Sequence, residues 1–308
     1  MIICASRRTD IPAFHSEWMM NRLRAGSVLV RNPMSRNLVH RIDLSRSNVD
    51  CIVFITKDPG PMVPYLREIG SMGHMYVFQI TLTPYGRSIE PGVRSKGDIN
   101  DSCIEISDRI GRDRMSWRYA PVIFNGTMGL EYHRRKFTML CGEASKWTDR
   151  CIFSFVDTYG KLSRFQEQGV IRSMTKQEML SFARMASKVA DEYGISLTHC
   201  CSKLDLEEFG IQRRGCLDKE MMRSLNIPYE TMDTPLREGC RCVKSIDIGE
   251  YDTCDHGCIY CYANRSDPTR RLQRIYDSDS EILWGEITQR DSIKELSPRA
   301  ASRLGDFL

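Results

Sequence analysis

CIVFITKDPGPMVPYLREIGSMGHMYVFQITLT, residues 51–83, runs from one apolar β-rich segment, through an amphipathic one, to a second apolar segment. CIVFIT (51–56) and YVFQITLT (76–83) are short, rich in β-branched and aromatic residues, and bounded by turn formers, as buried strands are. Between them PMVPYLREIGSMG (61–73) spaces its apolar residues for one face of a helix. Strand, helix, strand is the unit from which parallel sheets are built, because two parallel strands need a long crossover. The alternation extends in both directions. IICAS (2–6), WRYAPVIF (117–124), CIFSFVD (151–157) and ISLTHC (195–200) are further strands. SEWMMNRLRAG, NDSCIEISDRIG, LEYHRRKFTMLCGEASKW and TKQEMLSFARMASKVADEYG are helices, the last opening on the capping box Thr175 and Glu178. The expected class is α/β: a partial or complete TIM-like barrel of about six βα units, or an open parallel sheet.

Such folds place their chemistry at the carboxyl ends of the strands. Polar residues cluster there: Arg7, Arg8, Thr9 and Asp10 after the first strand; Lys57 and Asp58 after the second; Thr83, Tyr85 and Arg87 after the third. Arg118 lies in the fourth strand, Asp157, Tyr159 and Lys161 follow the fifth, and His199 ends the sixth. Arg7, Arg8, Asp10, Lys57, Tyr85, Arg118 and Asp157 are the candidate substrate or catalytic contacts. Arginine suits a carboxylate or phosphate because its planar fork binds two oxygens at once. A structural alternative pairs Arg7 and Arg8 with Asp10. The alternation stops near residue 205, which divides the chain into an α/β body (1–204), a cysteine-rich segment (205–264) and a charged tail (265–308) whose Ile282, Leu283 and Trp284 are apolar enough to pack back on the body.

The chain has 308 residues, a formal charge of +4 and 41% hydrophobic residues, enough for a large core and too little charge to argue for nucleic acid. The first residues lack the long apolar core of a signal peptide, and no apolar stretch is long enough to cross a bilayer, so a cytoplasmic protein without a membrane partner is expected. In a reducing compartment thirteen cysteines point to metal ligands or buried thiols, not to a disulfide framework. Cys4, Cys51, Cys103, Cys141 and Cys151 are scattered, several within strand-like runs, as inert buried thiols are. The other eight crowd the last third.

Among them CDHGCIYCYAN (254–264) spaces Cys254, Cys258 and Cys261 as C-x3-C-x2-C, with Tyr260 before the last. Three thiolates so close can hold three irons of a four-iron cluster and leave the fourth open. A structural zinc wants four ligands, commonly as C-x2-C pairs, and the x3 gap suits it less well. The motif resembles that of radical S-adenosylmethionine enzymes. By that resemblance the open iron takes the amino and carboxylate groups of S-adenosylmethionine, with Tyr260, Tyr262 and Asn264 as cofactor contacts. Cys201, Cys216, Cys240 and Cys242 are enough for a second site, either an auxiliary iron–sulfur cluster or a zinc. Cys200 is a substitute for Cys201, since neighbours on a strand end point opposite ways.

ASRRTDIPAF (5–14), VRNP (30–33), TKDPGP (56–61), QITLTPYG (79–86), Glu90 and Pro91, WRYAPVI (117–123), SFVDTYGK (154–161) and CRCVKSIDIGEYDTCDHGCIYCYAN (240–264) together resemble the family catalogued as domain of unknown function eighteen forty-eight. That likeness implies a radical S-adenosylmethionine-like family, similar to spore photoproduct lyase, whose cysteine loop follows the barrel and folds over its strand ends. Ala120 and Ile55 depart from the Asp and Trp usual in the family, which affects the substrate and not the cluster. The implied activity is reductive cleavage of S-adenosylmethionine to a 5′-deoxyadenosyl radical that takes hydrogen from a small-molecule or nucleotide substrate. The electron would come from a reductase such as flavodoxin or ferredoxin. Two alternatives stand beside it: a zinc-stabilised binding protein without catalysis, and repair of a nucleic acid lesion by the same radical chemistry. Six histidines with no ligand-spaced pair disfavour a zinc hydrolase.

Overall fold

The computed structural model describes residues 1–157, 160–233, 235–264 and 276–296. All six expected strands form. Numbered in chain order, they are β1 (Ile2–Ala5), β4 (Cys51–Thr56), β5 (Tyr76–Thr81), β6 (Met115–Val122), β7 (Arg150–Phe155) and β8 (Ser196–His199), with the hairpin β2 (Ser27–Arg31) and β3 (Leu38–Asp43) between the first two. The hairpin strands were not foreseen, nor were two short ones, β9 (Gln212–Arg213) and β10 (Ile246–Asp247). A last strand, β11 (Ser292–Glu295), lies in the tail. The helices are α1 (Ile11–Phe14), α2 (Ser16–Ala25), α3 (Leu66–Ser71), α4 (Lys96–Ile110), α5 (Leu130–Ala144), α6 (Ser163–Glu167), α7 (Lys176–Glu192) and α8 (Lys219–Ser224).

Eight strands make one sheet in the order β10-β1-β4-β5-β6-β7-β8-β9, and every pairing in it is parallel. From β1 to β9 each strand lies beside the next one of the sheet in sequence. Among the described residues no pairing joins β9 to β10, so the sheet is shown as a parallel α/β array and its closure into a barrel is not. All six residues of β4 are buried, as a central strand covered on both faces requires. On one face Ile3, Phe54, Phe78, Trp117 and Tyr119 pack with Trp18 of α2, Ile99 of α4, Phe137 of α5 and Phe182 of α7. On the other, Ile2, Cys4, Val53, Ile55 and Val77 meet Met221 and Met222 of α8 together with Cys242 and Val243. Part of the cysteine-rich segment therefore packs directly on this second face of the sheet. The two faces follow from the period of two along each strand: Trp117 and Tyr119 go one way, Arg118 the other.

Local signals held where expected. Thr175 and Glu178 form the reciprocal capping box at the start of α7. In the tail, β11 adds to β3 in a small three-stranded sheet, and Ile282 and Leu283 are buried. Residues 265–275 and 297–308 of that tail, and Tyr159, lie outside the described residues. No helix among the described residues is long and apolar enough to cross a membrane.

Candidate functional site at the strand ends

The loop carrying Cys254, Cys258 and Cys261 leaves β10, the neighbour of β1, and lies over the carboxyl ends of β1, β4 and β5. Two polar latches hold it there. The first is Asp10, just past β1. Its Oδ1 accepts from Ala13 N at 3.1 Å, capping α1, while Oδ2 accepts from Lys57 N at 2.7 Å and meets His256 Nε2 at 2.8 Å. His256 stands within the cysteine loop, and its Nδ1 lies 3.3 Å from Gly92 O. Gly92 N in turn donates to His256 O at 2.9 Å. A Cβ at Gly92 would fall 2.4 Å from Asp255 O, so only glycine allows so close an approach of the two loops.

The second latch is Glu90, which is not among the candidate residues that the sequence offers. Its side chain is fully buried and takes Lys57 Nζ at 2.7 Å, Lys96 Nζ at 2.6 Å and Thr83 Oγ1 at 2.6 Å. The Tyr260 hydroxyl donates to the same carboxylate. Burial alone would push this carboxyl up, but the two lysines and their hydrogen bonds hold it down at about 2. Lys57 is raised: burial opposes its charge, and Glu90 with the Cys258 thiol outweighs burial. Lys96 is lowered, chiefly by burial. Lys57 Nζ also lies 5.6 Å from the centre of the Tyr260 ring.

Cys254 and Cys258 are buried and Cys261 is half-buried. Burial raises Cys254 well above the usual thiol range and lifts Cys258 to about 12, the latter opposed by Lys57; the neighbouring thiols raise both further. A metal would therefore have to displace protons here. Cys261 N donates to Cys258 O at 3.1 Å, and Asn264 Nδ2 to Cys254 O at 2.8 Å, so Asn264 closes the loop it belongs to. The Tyr262 hydroxyl donates to Arg7 O at 2.8 Å. Among the described residues no group of three or more His, Cys, Asp or Glu side chains is arranged to hold a metal ion as it stands.

The other candidates have distinct placements. Arg7 and Arg8 pair with Asp247 of β10 and not with Asp10. Asp247 accepts from Arg8 Nε at 3.1 Å, Arg7 N at 2.7 Å and Ser6 Oγ at 2.7 Å. Burial would raise this carboxyl, and the two arginines keep it below its ordinary value. Tyr85 is a strut within the core, its hydroxyl donating to Pro121 O at 2.7 Å and accepting from Ile123 N at 2.8 Å. Asp157 is exposed and pairs with Arg237 at 2.7 Å. Arg118 differs from these: half-buried, on the opposite face of β6 from Trp117 and Tyr119, it has a buried Nε with no hydrogen-bond partner among the described residues. Its charge acts on both Cys216 and Tyr262, which puts it between the two cysteine groups.

The second group is larger than expected. Cys200 and Cys201 have their sulfurs 3.5 Å apart, and Cys216 and Cys242 theirs 3.4 Å apart. Cys200 is within hydrogen-bonding reach of Cys216, and Cys240 within reach of both Cys201 and Cys242. The expectation that Cys200 and Cys201 point opposite ways is corrected. Cys201 has a φ of 55°, which takes it out of extended backbone and turns its sulfur back toward its neighbour. By contrast Cys4, Cys51, Cys103, Cys141 and Cys151 are buried thiols, each raised chiefly by burial.

The family described as domain of unknown function (DUF1848) matches residues 2–263, and the chain belongs to it. That description carries no chemistry. The expected kinship with a radical S-adenosylmethionine-like, spore photoproduct lyase-like family is corrected accordingly: the match reaches DUF1848 and no further. No curated protein matches the chain.

Proposed function

We propose that this DUF1848 protein is a radical S-adenosylmethionine enzyme whose four-iron cluster would be held by Cys254, Cys258 and Cys261. The observation that carries the reading is the C-x3-C-x2-C loop itself, latched by Asp10–His256 and Glu90–Tyr260 over the carboxyl ends of β1, β4 and β5. The donor set fits the group, since three thiols that feel one another's charge leave one iron of four without a protein ligand. When bound, the cluster supplies the electron that cleaves the sulfonium of S-adenosylmethionine to methionine and a 5′-deoxyadenosyl radical. The chain's own residues do the positioning. Asp10 and Glu90 fix the loop against two strand ends, and Lys57 puts a cation beside Cys258, easing loss of its proton. Arg118 offers its unpartnered Nε inward, where a carboxylate or phosphate of substrate or cofactor would find a partner. The eight parallel strands, read as a partial barrel, would enclose the substrate between their carboxyl ends and the loop. A one-electron donor of the flavodoxin or ferredoxin class belongs to the proposal.

The test is electron paramagnetic resonance of anaerobically reconstituted, dithionite-reduced protein, with and without S-adenosylmethionine. A cluster signal that changes with the cofactor and vanishes in C254A/C258A/C261A supports the reading. Under strict anaerobiosis, zinc in place of iron with no response to the cofactor would replace it with a metal-braced binding protein.

A further inference from the structure

Five cysteines form a ring of interacting neighbours: the sulfurs of Cys200 and Cys201 lie 3.5 Å apart and those of Cys216 and Cys242 3.4 Å apart, while Cys240 interacts with Cys201 and Cys242, and Cys200 with Cys216. The ring lies by the two edge strands of the sheet, β9 and β10. Cys200 and Cys201 follow β8, Cys216 follows β9, and Cys240 and Cys242 lead into β10. We infer that four of these thiols, Cys216, Cys240, Cys242 and one of the pair Cys200 and Cys201, bind a single zinc ion that ties together the two edges of the sheet, β9 and β10, which no strand pairing joins among the described residues.

Sulfur spacing distinguishes one ion from a cluster. Four thiolates about 2.3 Å from one tetrahedral zinc stand about 3.8 Å from each other. The sulfurs of Cys216 and Cys242, both of them ligands in this reading, stand 3.4 Å apart, near that edge length. A four-iron cluster gives each cysteine its own iron and so spreads the sulfurs wider. As they stand, the thiols do not face one centre, so binding an ion requires their side chains to rotate and their protons to leave.

The surroundings suit the charge. A zinc with four thiolates is doubly negative, and buried charge must be offset. The charge of Arg7 acts on Cys242 and Cys216, that of Arg118 on Cys216, and Arg237 places an amino group 3.7 Å from the sulfur of Cys200. The backbone is shaped for the contact too. A Cβ on Gly215 would lie 2.6 Å from Arg241 O and Cys242 N, so glycine alone lets the Cys216 segment touch the Cys242 segment. The inference is independent of the radical chemistry, because none of its ligands belongs to the C-x3-C-x2-C loop.

The experiment uses the full chain carrying C254A/C258A/C261A, purified with reductant and zinc, so that iron at the other site does not contribute. Metal analysis should find one zinc per chain, lost in the further variant C216S/C242S. Replacing the zinc with cobalt should give the intense sulfur-to-cobalt absorption and the visible bands of a tetrahedral tetrathiolate site. Gly215→Ala should weaken zinc retention without removing any sulfur. Should the serine variant fail to fold, the cobalt spectrum of the parent decides. Iron with acid-labile sulfide in this background, a disulfide within the ring, or a chain free of metal after exposure to zinc would each overturn the inference.

Discussion

Replacing Glu90 with Gln keeps the shape of the side chain and removes its charge, leaving Lys57 and Lys96 facing a neutral amide. The side chain of Glu90 is 0% exposed and that of Lys57 10%, so little solvent is available to compensate. The carboxyl is held at about 2, against an ordinary value of 4.5. At 1.36 kcal/mol per pH unit, that interval corresponds to about 3 kcal/mol of stability. Breaking one side of a buried ion pair costs about 3–5 kcal/mol, which agrees. Because the folded state binds this proton less readily than the unfolded chain, the contribution is fully present above pH 4.5. It disappears as the pH falls through 2. Urea unfolding of both proteins should therefore show E90Q less stable by about 3 kcal/mol at pH 7, a midpoint lower by about 1 M for a slope of about 3 kcal/mol per M. The deficit should shrink steadily below pH 4.5. Equal midpoints at pH 7, or a deficit unchanged at pH 3, would refute the argument that charge pairing at Glu90 latches the loop.

Asp10 has two separable roles. Asn can still cap α1 but offers His256 no charge, so D10N should loosen the cysteine loop to proteolysis while D10A loses about 1 kcal/mol more for the missing cap, read by urea unfolding. Gly92→Ala places a methyl group against Asp255 O and should displace the loop, lowering iron retained after anaerobic reconstitution while far-ultraviolet dichroism stays unchanged. His133 is buried between Tyr119 and Ile123 O, at 2.7 and 2.9 Å, and burial lowers it to about 4. The unfolded chain takes up this proton first, so stability should fall as the pH drops from 6.5 through 4, by up to about 3 kcal/mol for this group. H133Q should show a shallower decline over that window, and an identical decline would assign the acid sensitivity elsewhere.

What was legible in the sequence was what is local. CIVFIT became β4 to the residue, because a run of six apolar and β-branched residues is buried whatever surrounds it. Thr175 and Glu178 found each other because they are three residues apart and need no tertiary context. β9 and β10 were invisible because two residues carry no periodicity. The partners of the charged residues were missed for a different reason. The structural alternative that pairs Arg7 and Arg8 with Asp10 rests on proximity in sequence, yet Asp247, 240 residues beyond Arg7, is their partner. A sequence places residues on strand ends but does not say which other strand end comes alongside.

That missing information explains why the cysteine motif can stand so late in the chain. In a sheet whose strands follow one another in order, the first strand keeps a free edge until a later segment covers it. Here the cover is β10, paired in parallel with β1 through Ile3 to Ile246 and Cys4 to Asp247. Parallel pairing means that the chain leaves β10 at the same end as it leaves β1. Residues 248–264 therefore emerge beside residues 6–10, and Asp247 anchors that exit by accepting from Ser6, Arg7 and Gly249 at once. From there His256 is carried to Asp10 and Tyr260 to Glu90. Sequence distance from the first strand does not matter to such a loop, because its position is fixed by the strand before it, and that strand belongs to the first strand's edge.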